Sequence, residues 1–199
     1  SAYGTPAKIQ VDENEPMNPI SPYGKSKLMT EWMIQDMANV SSMKFVILRY
    51  FNVAGAKVGG GLGQATPQAT QLVKVAAEVA TGKRKKLSLY GTQYNTPDGT
   101  CIRDYIHVDD LANAHLLSLE YLQKGGNSEI FNCGYGKGYS VKEVISAMKK
   151  VSNVDFVVDE CPPREGDVVS IFANSEKIRR VLNWQPKYDN IEIICKTSY

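Results

Sequence analysis

Tyr23 and Lys27 stand four residues apart in Tyr23-Gly24-Lys25-Ser26-Lys27. On a helix that spacing puts a phenol and an ammonium on one face. A phenol alone is a poor base at neutral pH, because its reference pKa is about 10. An ammonium roughly 6 Å away, at an effective dielectric near 20, is worth about 2.8 kcal/mol, or about two pKa units. A second positive charge, such as an oxidised nicotinamide, could bring such a phenol close to neutral pH. The pair makes chemical sense as a proton-transfer device. Taken by itself the pattern is weak, because an exposed Tyr and Lys on a helix are spelled the same way.

The elements that must carry these groups read as an α/β protein, with extended and helical patterns alternating along the chain. Ser21-Pro22-Tyr23 opens the clearest helix, with a serine at the N-cap and a proline in the first turn. Along it Leu28, Trp32 and the series Met29, Met33, Met37 recur at helical spacing. Phe45 to Leu48 is a continuous apolar run, as in a buried parallel strand. Gly59 to Gly63 is loop, Leu72 to Ala80 helix, and Leu87 to Tyr90 a strand stopped by Gly91. Thr92 to Asp104 reads as a functional loop. Asp109 and Asp110 begin a helix reaching about Lys124, and Ile130 to Asn132 is a strand. Ser140 and Glu143 form a capping box. Phe156 to Val158 and Ile171-Phe172 are short strands, while Ser175 to Leu182 and the tail from Asn190 are helical.

Bulk properties exclude several classes of function. The 199 residues carry 23 Lys plus Arg against 21 Asp plus Glu, a formal net charge of +2, which points to neither nucleic acid nor a membrane surface as partner. Lys83-Arg84-Lys85-Lys86 is the one dense basic run and reads as the solvated end of the preceding helix. Four widely spaced cysteines and two histidines offer neither a disulfide framework nor a metal site. No apolar run approaches membrane-spanning length, and a cytoplasmic protein is the default expectation.

The wider context raises the weight of the Tyr23–Lys27 pair. Ser21 to Lys27 is followed by Leu48-Arg49-Tyr50-Phe51-Asn52-Val53-Ala54-Gly55-Ala56, then Asp98-Gly99-Thr100. Arg103-Asp104-Tyr105-Ile106-His107-Val108-Asp109-Asp110-Leu111 and Arg164-Glu165-Gly166-Asp167 come next. In this order and spacing they resemble the UDP-glucose 4-epimerase family of extended short-chain dehydrogenases, from Tyr3 to the end of the chain. The block from Arg103 to Leu111 is the most specific element.

That resemblance implies an isomerase of carbohydrate metabolism that interconverts UDP-glucose and UDP-galactose through a 4-keto sugar, with NAD as transient hydride acceptor. Tyr23 matches the base that takes the proton of the sugar 4-hydroxyl. Lys27 matches the lysine on the nicotinamide ribose, and Phe51 a residue lining the NAD site. Asn52 matches a sugar-nucleotide contact, and Gln71 stands, beside Leu72, where the family often has asparagine. Ser88, Leu89 and Tyr90 fall in the stretch that contacts uracil. Arg103 and Arg164 match the arginines that hold the diphosphate, a task suited to forked, charge-assisted bonds. Asp167 matches the carboxylate on the uridine ribose. Ile171 matches a side chain near the hexose, where a residue smaller than tyrosine leaves some room for an N-acetyl group; weak activity on UDP-N-acetylglucosamine is the expectation. A homodimer is implied as well, with Met29, Trp32, Met33 and Met37 as either its contact surface or core. A related epimerase or dehydratase, or a non-catalytic UDP-sugar-binding fragment, is the alternative.

The family's G-x-x-G-x-x-G phosphate loop, which brings a helix N-terminus to the NAD pyrophosphate, has no counterpart here. Gly59 to Gly63 and Gly134 to Gly138 both fail for spacing. Ser1 is not given the family's catalytic Ser/Thr role, because it stands only two residues before Tyr3. The expectation from the sequence is therefore a chain lacking the family's N-terminal NAD-binding segment and inactive alone. The expected fold is a partial Rossmann-type parallel sheet, formed by 1–58 and 92–133, with a smaller C-terminal substrate-binding lobe formed by 59–91 and 134–199.

Overall fold

The computed structural model describes residues 2–199, and the reading of Ser1 lies outside them. In chain order the elements are β1 (Gln10–Val11), α1 (Pro22–Asn39), β2 (Val46–Tyr50), β3 (Asn52–Ala54), α2 (Leu72–Ala80), β4 (Leu87–Tyr90), β5 (Ile102–His107) and α3 (Val108–Gln123). There follow β6 (Glu129–Cys133), β7 (Gly138–Ser140), α4 (Val141–Ser152), β8 (Val158–Cys161), β9 (Ser170–Ala173), α5 (Glu176–Leu182) and α6 (Ile191–Ser198). The α/β class is as expected, with strand pairs that are parallel except for β5 with β7.

β5 is the strand on which β3, β7 and β9 converge. The largest sheet runs β1-β9-β5-β3, and β7 also pairs with β5. Separate parallel pairs join β2 to β6 and β4 to β8. Trp184, Phe131, Leu87, Ile106 and Met148 are fully buried at the centre of the main core, which the strands share with α2, α4 and α6. A smaller cluster of Tyr3, Val11, Val168 and Ile171 packs against Met17 and Phe51.

Local chemistry sets the ends of the helices. Ser21 Oγ accepts the Gly24 N–H at 3.1 Å and Pro22 occupies the first turn, so α1 begins one residue before Tyr23. The capping box at α4 forms in both directions between Ser140 and Glu143. His107 is the N-cap of α3, its Nδ1 accepting the Asp109 N–H at 3.1 Å. Gly55 lies against this buried ring at φ 86°, and a Cβ there would stand 2.6 Å from His107 Cδ2.

Several expectations need correction. Ile102 to Asp104 is strand rather than loop, because β7 and β9 flank it. The strand expected at Phe156 to Val158 lies later, at Val158–Cys161, and Phe156 is a core side chain. β1, β3 and β7 have no strand signal of their own in the sequence; each has two or three residues and is defined by partners distant in sequence. Met29, Trp32, Met33 and Met37 are all more than half exposed, which removes their core reading. The basic run lies past the end of α2, where Arg84 binds Glu78 and the Ala69 carbonyl and Lys86 binds Asp159.

Asp104 holds the convergence on β5 together. Its carboxylate accepts N–H groups from Tyr135 at 3.0 Å, Gly136 at 3.0 Å and Ala173 at 3.1 Å. Burial pushes the Asp104 carboxyl up to about 6, against the opposing pull of these backbone donors. The folded protein therefore holds this proton more tightly than the unfolded chain, whose aspartates titrate near about 3.9. Stability drawn from this group is lost as pH rises through the folded value. The urea stability of the wild type relative to Asp104→Asn should fall between about pH 4 and about pH 6 and then level off. A difference that stays flat or grows over this range would contradict the assignment.

Candidate active site

α1 presents Tyr23 to a groove whose other wall is the β2–β3 segment. Tyr23 is 65% exposed, and Lys27 Nζ lies 5.3 Å from the centre of its ring. Neither side chain has a hydrogen-bond or ion-pair partner among the described residues. Tyr23, Lys27, Phe51, Asn52, Arg103, Asp167 and Ile171 line this groove together. The phenol and ammonium are thus side by side, open to a ligand, with an aromatic ring across from them. That arrangement fits the nicotinamide ribose end of NAD, with Tyr23, Lys27 and Phe51 as the residues that would hold it.

A second groove continues from the first on the far side of Asn52. Gln71, Leu72, Ser88, Tyr90, Arg103, Arg164 and Asp167 line it. A further stretch of surface joins Tyr23, Phe51 and Asn52 to Gln71 and Leu72. Asn52 belongs to all three, so the residues singled out in the sequence meet at one point in space. Leu89 is the exception. Side chains of β4 alternate, so Ser88 and Tyr90 face the groove while Leu89 is 3% exposed in the core.

The arginines give the second groove its character. Among the described residues neither Arg103 nor Arg164 forms an ion pair. Arg103 Nη1 donates to the Ile102 carbonyl at 2.9 Å and the Val169 carbonyl at 3.3 Å, which orients the guanidinium while leaving its charge unmatched. Arg164 lies 3.7 Å over the ring of Tyr90, a cation–π contact that sets it against the groove wall. Two uncompensated guanidiniums in one concavity suit a ligand with two negative groups.

The loop before Arg103 is fastened from below. Asp98 accepts the Thr100 N–H at 2.9 Å and hydroxyl at 2.7 Å, as well as the Ser140 hydroxyl, and Lys142 Nζ donates to the Asp98 carbonyl at 3.1 Å. Burial pushes the Asp98 carboxyl up, but these hydroxyl bonds outweigh it and hold it below the usual carboxylate range. Cys101 and Tyr105 also line the second groove and escaped the sequence reading. Burial pushes the Cys101 thiol up despite the nearby Arg103, so it is a neutral lining group. Arg84 and Lys86 reach the rim of the same groove. Among the described residues no cluster of His, Cys, Asp and Glu could hold a metal ion.

Comparison with known proteins places this geometry in a family. UDP-glucose 4-epimerase of Azospirillum brasilense is 48% identical over 198 residues, covering 100% of this chain and 57% of that protein. The solved UDP-Glc/GlcNAc 4-epimerase of Campylobacter jejuni is 55% identical, with a TM-score of 0.80 over 99% of this chain and 60% of that one. UDP-glucose 4-epimerase of Brucella ovis, solved in complex with NAD, is 38% identical, with a TM-score of 0.94 over 98% of this chain and 60% of that one. The chain spans under two thirds of the length of these relatives. The family model described as "NAD dependent epimerase/dehydratase family" matches residues 1–134. That match corrects the expectation of a chain without the family's NAD-binding region. With the model matched over residues 1–134, the chain belongs to the NAD-dependent epimerase/dehydratase family.

Proposed function

We propose that this chain carries the site of a 4-epimerase acting on UDP-glucose and UDP-galactose. The observation that carries the reading is the meeting, at Asn52, of a groove holding Tyr23 and Lys27 with one holding the uncompensated Arg103 and Arg164. NAD, when bound, supplies a reversible acceptor for hydride at sugar C4. The chain's own residues do the rest. Tyr23 accepts the proton of the 4-hydroxyl and returns it, and Lys27 favours the phenolate by its positive charge. Arg103 and Arg164 fork onto the diphosphate, while Asp167 accepts from the uridine ribose and Tyr90 packs against the uracil. Held by its nucleotide, the 4-keto sugar can present either face of C4 to the cofactor side while its 4-oxygen stays within reach of Tyr23. Relatives named for this reaction, one of them solved with NAD, support the reading.

In this reading 1–58 and 92–133 form the cofactor side and 59–91 and 134–199 the substrate lobe. Pairing of β5 with β7 and β9, and of β1 with β9, then forms the seam between them. The exposed face of Met29, Trp32, Met33 and Met37 supplies a homodimer contact. Sedimentation as a monomer at micromolar concentration would remove that part.

Tyr23→Phe takes away the proton acceptor at an exposed position, so the protein should fold normally while turnover falls at least about a hundredfold. Near-normal epimerisation by folded Tyr23→Phe protein would exclude the role. Ile171 lines the groove with Tyr3 and Val168 and is stiffly branched. It leaves some room beside the sugar, and a relative is named for both the plain and the N-acetylated hexose. Weak turnover of UDP-N-acetylglucosamine is expected, and Ile171→Tyr should abolish it while sparing UDP-galactose. Equal loss of both activities would show Ile171 to be a core residue only.

A further inference from the structure

α1 carries both Tyr23 and Lys27, yet it is thinly held. Of its 18 residues only Gly24, Leu28 and Glu31 are buried. Glu31 is the one that can bind something directionally. It stands one turn beyond Lys27 and two turns beyond Tyr23, facing the body of the protein.

Its partner is Arg49 on β2. Arg49 Nε donates to Glu31 Oε1 at 3.0 Å and Nη2 to Oε2 at 2.8 Å, a forked pair with both side chains about nine-tenths buried. The remaining guanidinium nitrogen donates to the Tyr3 hydroxyl at 3.0 Å and the Glu13 carbonyl at 3.1 Å. The Tyr3 hydroxyl in turn donates to Asn132 Oδ1 at 2.6 Å, and Asn132 is the register partner of Arg49 across β2 and β6. The cation is therefore locked to the sheet before it grips the helix. Arg49 also precedes Phe51 and Asn52 by two and three residues, so the strand that grips α1 leads directly into the opposite wall of the groove.

A buried ion pair is a poor source of net stability, because desolvation offsets most of the attraction, but its fork admits only one geometry. We propose that Arg49 and Glu31 are positioning residues, fixing the angle of α1 so that Tyr23 and Lys27 meet the sugar beside Phe51 and Asn52. This rests on the reading of Tyr23 as the base. Slippage of about 1 Å at a reacting group can slow turnover by up to about a hundredfold. Binding of the nucleotide, held by Arg103 and Arg164 on other elements, should not change.

The test is a double-mutant cycle in the active enzyme. Glu31→Gln and Arg49→Lys should each lower kcat about tenfold or more. UDP affinity by calorimetry should stay within about twofold, and backbone amides of α1 should exchange hydrogen faster. In a Tyr23→Phe background, Glu31→Gln should cost nothing further, since the group it positions is gone. The proposal is overturned if Glu31→Gln leaves kcat and amide exchange unchanged, or if it slows the enzyme by the same factor with and without Tyr23. Should Glu31→Gln fail to fold, the Glu31→Leu/Arg49→Met double substitution, which leaves no unpaired charge, takes the same readings. A fully active Tyr23→Phe protein overturns the base assignment itself, and this proposal with it.

Discussion

Asp104 sits where three segments far apart in the chain must meet: the central strand β5, the turn after β6 and the strand β9. From β5 its carboxylate collects N–H groups of the other two, Tyr135 and Gly136 in the turn and Ala173 on β9. Gly134 permits the approach, since a Cβ there would stand 2.5 Å from Asp104 Oδ2 and 2.9 Å from the Ala173 Cβ. Buried backbone donors need an acceptor, and losing a shared one would strand three of them at about 1–3 kcal/mol each. Arg103 is the preceding residue of β5 and, by strand alternation, points the other way, into the groove it shares with Arg164. Fixing Asp104 on the core side therefore fixes Arg103 on the groove side.

The same economy runs through the neighbouring residues. Asp110 accepts the Tyr135 hydroxyl at 2.5 Å and the Lys187 and Tyr188 N–H groups at 2.9 Å each, tying the C-terminal segment to α3. His107 caps that helix and meets Thr197 on α6 at 3.0 Å. The stretch from Arg103 to Leu111 thus places one residue, Arg103, at the charged end of the groove, while Asp104, Tyr105, Ile106, His107 and Asp110 are buried. Positive charge collects in the groove because, among the described residues, neither Arg103 nor Arg164 has an ion-pair partner, although Asp167 lines the same cavity. Tyr23 and Lys27 answer from α1, a helix that touches the body through few side chains and is clamped by Arg49.

Much of this was legible in the residues. Ser21 and Pro22 announce α1, Ser140 and Glu143 announce α4, and Gly91 marks the end of β4. These signals are local, so spelling alone carries them. What escaped depends on distant partners. Gln10–Val11 has no pattern of its own and becomes strand because β9 lies beside it. Asp104 was one charge in a motif until three donors were found around it. Leu89 was grouped with Ser88 and Tyr90 as a contact, although strand alternation assigns its side chain to the core. Glu31 and Arg49 are 18 residues apart in sequence, and neither type nor spacing shows that they will pair. Of the site residues, Tyr23, Lys27, Arg103, Arg164 and Asp167 were found through motif order, whereas Cys101 and Tyr105 gave no signal that separates a groove-lining side chain from a core one.

Departure of the C4 hydrogen and its return within one site, with Tyr23 handling only the hydroxyl proton, is tested most directly with UDP-glucose deuterated at C4 in ordinary water. The active enzyme should yield UDP-galactose that keeps its deuterium at C4, because the label never reaches solvent. Loss of the label in step with epimerisation, or uptake of solvent hydrogen at C4, would contradict the account.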